Sequence, residues 1–164
     1  LMAKIEYIES NLFIAPEKYL LHGCNAQGVM GSGVAKIVRY LYPKAYYEYK
    51  EFIDNKNYAP IGEINVVDCG KKIILNAISQ EFYGRDGRRY VSYDAIDNIF
   101  SELNNIVDEG TRVAMPKIGS SLGAGSWDII SVIIEHNAKT YQPVVYIYWK
   151  EDNYVMWVNL QWRT

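Results

Sequence analysis

The segment His22-Gly23-Cys24-Asn25-Ala26-Gln27-Gly28-Val29-Met30-Gly31-Ser32-Gly33-Val34-Ala35-Lys36 decides how this chain folds. Residues 19–24 are a short apolar run of strand type, and a glycine-rich turn follows directly. Val34, Ile37, Val38 and Leu41 then recur at spacings of three and four, which predicts an amphipathic helix over 32–42, stopped by Pro43. Strand, glycine loop and helix in that order make the repeating unit of an α/β sheet. Such a loop lies at the carboxyl end of its strand, where open α/β sheets bind ligands. Its small residues let a backbone approach a ligand closely, and unpaired N–H groups at the helix start suit an anion.

A second unit of the same kind lies about ninety residues on. Thr111–Met115 reads as a buried strand, Gly119-Ser120-Ser121-Leu122-Gly123-Ala124-Gly125-Ser126-Trp127 as the loop, and 127–139 as the helix. Two such loops on one sheet edge could clamp a pyrophosphate from both sides. Neither matches G-x-G-x-x-G, and no G-K-[ST] follows, which argues against a Rossmann dinucleotide site and a P-loop.

Further strands are predicted at 5–9, 64–68, 72–77 and 144–148, with a turn at Gly70 between the middle pair. Helices are predicted at 45–52 and 92–108, the latter capped by Ser92 with Gly110 just past its end. The alternation of Tyr154, Met156 and Val158 with their neighbours suggests an added edge strand in the tail. Alternating strands and helices imply a mixed sheet covered on both faces. With no repeat, linker or low-complexity stretch, one domain is expected over 2–164, Leu1 standing ahead of Met2 as an addition outside the fold.

Composition narrows the classes. A formal charge of −2 gives no general basic surface for long nucleic acids. The 15 tyrosines suit half-buried packing at element ends, although rings also stack on bases. Cys24 and Cys69 are far apart and lack ligand spacing, and no cluster of His, Cys and carboxylates predicts a metal site or calls for a cofactor. No apolar run reaches the roughly 18 residues that span a bilayer, so a cytoplasmic protein without membrane contact, and a monomer, is expected.

The residue identities add a resemblance. The segment 22–35, together with Ala114-Met115-Pro116-Lys117-Ile118-Gly119 and the Gly-Ser loop after it, resembles the two ligand loops of macrodomains. It is most similar to the branch holding ADP-ribose-1″-phosphate phosphatases and hydrolases that remove ADP-ribose from acidic side chains. The resemblance covers roughly residues 5–148 and implies a three-layer α/β/α fold with a central mixed sheet and a site for ADP-ribose or a derivative. By resemblance, Ser10, Asn11 and Leu12 would meet the adenine, with Asn11 in place of the family's Asp. Asn25 matches the Asn that bonds the distal ribose. Gly31, Ser32, Gly33 and Val34 would bring amides to the distal ribose and phosphates, faced by Ile118, Gly119, Ser120, Ser121, Leu122 and Gly123. Many relatives carry an aromatic where Leu122 stands.

Catalysis then points to His22, where other branches carry an Asn. Its ring could serve as general acid or base near neutral pH, or strand alternation could turn it into the core. Asn25 and Asp86 join it as candidates. The hydrolases that act through a Lys and an Asp place the Asp in the second loop, where this chain has Gly123-Ala124-Gly125. The polar stretch 80–90 could reach over the distal end, with Tyr83 flanking the ligand and Arg85, Arg88 or Arg89 holding a terminal phosphate. It could equally be a solvated turn whose charges pair with one another. Three functions stay open: a metal-independent ADP-ribose-1″-phosphate phosphatase, favoured here; an ADP-ribosyl hydrolase acting on protein or nucleic acid; and a non-catalytic binder of ADP-ribose or a related signal nucleotide.

Overall fold

The computed structural model describes residues 3–149. Among these described residues, six strands and four helices run in the order β1 (Glu6–Asn11), β2 (Tyr19–Asn25), α1 (Gly33–Leu41), α2 (Pro43–Asp54), β3 (Ile64–Asp68), β4 (Ile73–Gln80), α3 (Tyr93–Ile106), β5 (Thr111–Met115), α4 (Trp127–Asn137) and β6 (Tyr141–Tyr148), with a 3-10 turn at Leu12–Ile14. The sheet order is β1-β6-β5-β2-β4-β3. Every neighbouring pair is parallel except β3 with β4, so the sheet is mixed, as expected.

Side-chain alternation on β2 sets the layers. Leu21 faces α3 and α4, packing with Ile96, Phe100, Leu103 and Ile130. Leu20 faces α1 with Ile37 and Val38, and Cys24 lies on the same side with Met30 and Tyr49. Two apolar cores on opposite faces of one sheet give the three-layer architecture.

Local chemistry explains the element ends. Pro43 ends α1 and also opens α2, since its fixed φ and missing N–H suit the first helical turn. Ser92 caps α3 through its side chain, which accepts from Ala95 N at 3.1 Å. β1 and β2 exceed their predicted lengths by one residue each, and β4 and β6 by more. β4 runs on to Gln80 because it keeps pairing with β2 as far as Asn25, so Ser79 and Gln80 belong to a strand end and not to a loop. β6 starts at Tyr141 despite Pro143, which pairs toward β5; the β1 ladder begins only at Val144. The tail strand at 154–159 lies outside the described residues.

Candidate functional site

At the carboxyl ends of β2, β4, β5 and β6 the loops enclose a cleft of about 420 Å³, a volume in the range that holds small-molecule ligands. Its floor is the start of α1. Asn25 ends β2 and shapes the turn that follows: its Oδ1 accepts from Gln27 N at 2.9 Å, Val29 N at 3.3 Å and the Tyr49 hydroxyl at 2.9 Å. Its Nδ2 donates to Val29 O at 2.8 Å, leaving one amide hydrogen for the cleft that Asn25 lines. Ser32 stands at the N-cap of α1 without a side-chain cap bond. The first amides of the helix, from Gly33, Val34 and Ala35, therefore lack helical partners, and these residues line the cleft. Gly33 is required for its backbone, whose φ is +61°; a Cβ there would come into ordinary contact with Trp149 at 3.5 Å and Leu122 at 3.6 Å.

The facing wall is the loop after β5, and it is built from its own backbone. Gly125 N donates to Gly119 O at 2.8 Å, and Ala124 N to Ser121 O at 3.0 Å. Gly123 O accepts from both Tyr90 N at 2.8 Å and Val91 N at 3.1 Å, which ties this loop to the one after β4. That third wall contributes Ser79, Gln80, Tyr83, Gly84 and Arg85. Trp149, directly after β6, closes the fourth side beside Leu122.

Lys117 and Arg85 are the charged side chains in the lining; no carboxylate lines the cleft among the described residues. Neither cation has a side-chain hydrogen bond or ion pair with another described residue. Cys24 also borders the cleft, but burial pushes its thiol far above the usual range, so no thiolate forms there near neutral pH.

Most of the expected ligand residues come together: Asn25, Gly31, Ser32, Gly33, Val34, Tyr83, Arg85, Ile118, Gly119, Ser121, Leu122 and Gly123 all line the cleft. Others do not. His22 is fully buried on the α2 side of the sheet, the core alternative for that ring. Its Nε2 lies 2.6 Å from Asn76 Oδ1, and Asn76 Nδ2 donates to Ala45 O and to Asn65 Oδ1, each at 3.1 Å. Asn76 is thereby oriented with its oxygen toward the ring, so Nε2 carries the proton. Nδ1 has only the Cys24 sulfur nearby, at 3.9 Å, and burial holds the ring down to about 4. The ring is neutral, enclosed and absent from the cleft lining, a placement that suits a core residue and not the proton-transfer role expected of His22.

Asp86 is likewise outside the lining. It is exposed and occupied, accepting from Arg88 Nε and from the Tyr90 hydroxyl, each at 2.8 Å. Those bonds hold its carboxyl below the usual range. Arg89 stacks over the Tyr93 ring at 4.3 Å, so Arg85 is the arginine of this loop that reaches the cleft. Ser10, Asn11 and Leu12 sit outside the cavity. Asn11 Oδ1 accepts from Phe13 N at 3.0 Å as a turn cap, and Leu12 is a core residue. Ser120 turns its hydroxyl onto Lys117 O at 2.7 Å. In the other direction, Lys117, Gln80, Ser79 and Trp149 line the cleft without having been singled out from sequence. The available signal was position, since each stands at the carboxyl end of a strand.

The Macro domain family model matches residues 21–134, most of the chain and both cleft loops. This chain belongs to the macrodomain family. Similar sequences include an uncharacterised 17.5 kDa protein of Enterobacteria phage T4, 27% identical over 86% of this chain and 94% of its own. An ADP-ribose 1″-phosphate phosphatase of Meyerozyma guilliermondii is 29% identical over 74% of this macrodomain and 71% of its own length. A DNA ADP-ribosyl glycohydrolase of Thermus aquaticus is 23% identical over 91% of this chain, which spans 42% of that protein. Among solved structures, the macrodomain of Thermus aquaticus DarG superposes with a TM-score of 0.72 at 22% identity, covering 89% of this chain and 99% of its own. Thermosipho africanus DarTG in complex with ADP-ribose superposes at 0.71 and 16% identity, over 88% of this chain and 42% of its own. At identities this low, these superpositions show the shared fold alone.

Proposed function

We propose that this macrodomain binds ADP-ribose derivatives in the cleft and acts as an ADP-ribose 1″-phosphate phosphatase. The observation that carries the reading is the charge of the cleft: among the described residues Arg85 and Lys117 have no ion-pair partner and no carboxylate lines the walls, and a helix N-terminus forms the floor. A pyrophosphate over the α1 amides uses the floor. The two cations are then left for a further phosphate at the distal end, which guanidinium binds in pairs of oxygens. The second amide hydrogen of Asn25 suits a distal ribose hydroxyl, and Trp149 with Leu122 offers an apolar shelf beside Gly33.

In this reading water attacks the terminal phosphorus and the bond from phosphorus to the anomeric oxygen breaks. A proton passes to that oxygen, leaving ADP-ribose and inorganic phosphate. Positioning and fixed positive charge supply the rate enhancement, because charge on the transferring phosphoryl oxygens is what the cations and amides face. Replacing Arg85 or Lys117 by Ala is expected to slow phosphate release from ADP-ribose 1″-phosphate about tenfold each, the scale of one charge-assisted contact at a wet site. Phosphate release by the unmodified protein no faster than in buffer would overturn the phosphatase reading.

A glycohydrolase reading gains from the likeness to the Thermus aquaticus enzyme, which extends over 91% of this chain. An ADP-ribosylated oligonucleotide separates the two: release of free ADP-ribose from it, without phosphate release from the 1″-phosphate, would favour the glycohydrolase. Tight binding with neither product would make the protein a reader of the nucleotide.

A further inference from the structure

The loop after β4 carries more charge than the cleft uses. Of its three arginines and one aspartate, only Arg85 lines the cavity. Arg89 stacks over Tyr93, while Asp86 and Arg88 are engaged with each other and with Tyr90. Asp86 accepts from Arg88 Nε at 2.8 Å, from Arg88 N at 3.2 Å and from the Tyr90 hydroxyl at 2.8 Å. Arg88 Nη2 also donates to the Tyr90 hydroxyl at 3.2 Å, closing a ring of three side chains. Two glycines permit this closure. Gly87 turns the chain at φ +81°, and a Cβ on Gly84 would lie 2.3 Å from the Tyr90 hydroxyl oxygen. Tyr90 N in turn donates to Gly123 O, so the ring is anchored to the opposite wall of the cleft.

Asp86 adjoins Arg85 in sequence and is the nearest carboxylate along the chain that could neutralise it. Three hydrogen bonds from Arg88 and Tyr90 instead occupy most of its roughly four acceptor sites. We propose that Asp86, Arg88 and Tyr90 form a latch that keeps Arg85 unpaired and facing the cleft, and so sets the preference for a ligand phosphorylated at its distal end. These are positioning residues, since none of the three lines the cavity. The inference rests on the reading that the cleft binds ADP-ribose and its 1″-phosphate.

Calorimetric titration of the full chain with ADP-ribose and with ADP-ribose 1″-phosphate gives the ratio of the two affinities. Arg85→Ala is expected to lower this ratio about tenfold, and Arg88→Ala about fivefold, because Asp86, keeping the Tyr90 hydroxyl and the residue-88 amide but losing the guanidinium that neutralises it, can pair through its freed Oδ2 with Arg85. Adding Asp86→Asn to Arg88→Ala is expected to restore the ratio, since no carboxylate then competes for Arg85. A loop that merely loosened would bind worse in the double variant, and it would lose both ligands alike. The substituted side chains are exposed, so melting temperatures should stay close to that of the unmodified protein. An unchanged ratio in Arg88→Ala, or a double variant below the single one, overturns the latch while leaving the binding reading intact. Failure of the unmodified protein to bind either nucleotide overturns both.

Discussion

Replacement of His22 by Ala is expected to lower folding stability by about 3 kcal/mol and to leave turnover per folded molecule within about twofold of normal. The ring is fully buried and its Nε2 satisfies Asn76 Oδ1, which in turn is held by bonds to Ala45 and Asn65. Truncation leaves a cavity and an unmet acceptor, two of the few mechanisms that destabilise strongly. Denaturant unfolding measures the loss. His22→Gln, which retains an amide donor for Asn76, supplies a better folded variant for the kinetic comparison. A hundredfold fall in phosphate release by folded His22→Gln at unchanged affinity would return the ring to the chemistry.

The same ring makes stability depend on pH. Above about pH 6.5 it is neutral in both folded and unfolded chains and adds no pH dependence. Below that, the unfolded chain takes up a proton that the folded ring accepts only at about 4. Its folded value is depressed, so stability is full above pH 6.5 and falls as pH drops toward 4, by up to about 3 kcal/mol from this group. His22→Gln should lose that share of the acid sensitivity. An unaltered stability profile between pH 6.5 and 4.5 in the variant would contradict the buried, neutral ring.

His22 also shows where sequence reasoning reached its limit. The strand was legible from its apolar run, and the loop from its glycines, because both are local properties. The side to which residue 22 points depends on parity along β2 and on which helices cover which face, and these follow from tertiary packing. Leu20, His22 and Cys24 share the face of α1 and α2, while Gly23 belongs to the opposite face and lines the cleft, its missing Cβ 2.7 Å from Ser79 Oγ. Asp86 failed for a related reason. A carboxylate in a polar loop is equally plausible as a ligand group or as a partner for its neighbours, and only the fold of the turn at Gly87 decides. The backbone-lined positions, Gly31 to Val34 and Ile118 to Gly123 apart from Ser120, needed no such decision, because glycine loops at strand ends place main chain in the cleft whatever the side chains do. Trp149 was hidden by lacking a motif of its own, and Lys117, although inside the second-loop motif, carried no assigned role. Their site is defined by the carboxyl edge of a sheet whose strand order, β1-β6-β5-β2-β4-β3, is far from sequence order.

Gly123→Asp, which places a carboxylate where hydrolases acting through a Lys and an Asp carry theirs, is expected to break the site and not to endow it with that chemistry. A Cβ at residue 123 would lie 2.8 Å from Gly119 O and 3.3 Å from Gly119 C, both main-chain atoms with no freedom to step aside. Gly119 O is already the acceptor for Gly125 N, and Gly125 is itself wedged, its own absent Cβ only 2.5 Å from Val91 Cγ1. The loop must therefore move as a unit. Moving it also withdraws Gly123 O from Tyr90 N and Val91 N, which would leave the wall bearing Arg85 without its anchor. The new carboxylate would in addition face a cleft lined by Arg85 and Lys117 and pair with the cations that the proposed phosphate needs. Steric displacement, lost anchoring and charge competition act in the same direction, and affinity for ADP-ribose 1″-phosphate should fall at least about a hundredfold. Stability should change less, because β5 and α4 keep their packing and only Ile118 of the loop belongs to the core. Gly123→Ala isolates the steric part: it should lose affinity for ADP-ribose and its 1″-phosphate alike, whereas the Asp variant should weaken the phosphorylated ligand further. Retention of affinity by Gly123→Asp, or release of ADP-ribose from glutamate-linked substrate by that variant, would show that the second loop is not the rigid, backbone-defined wall described above.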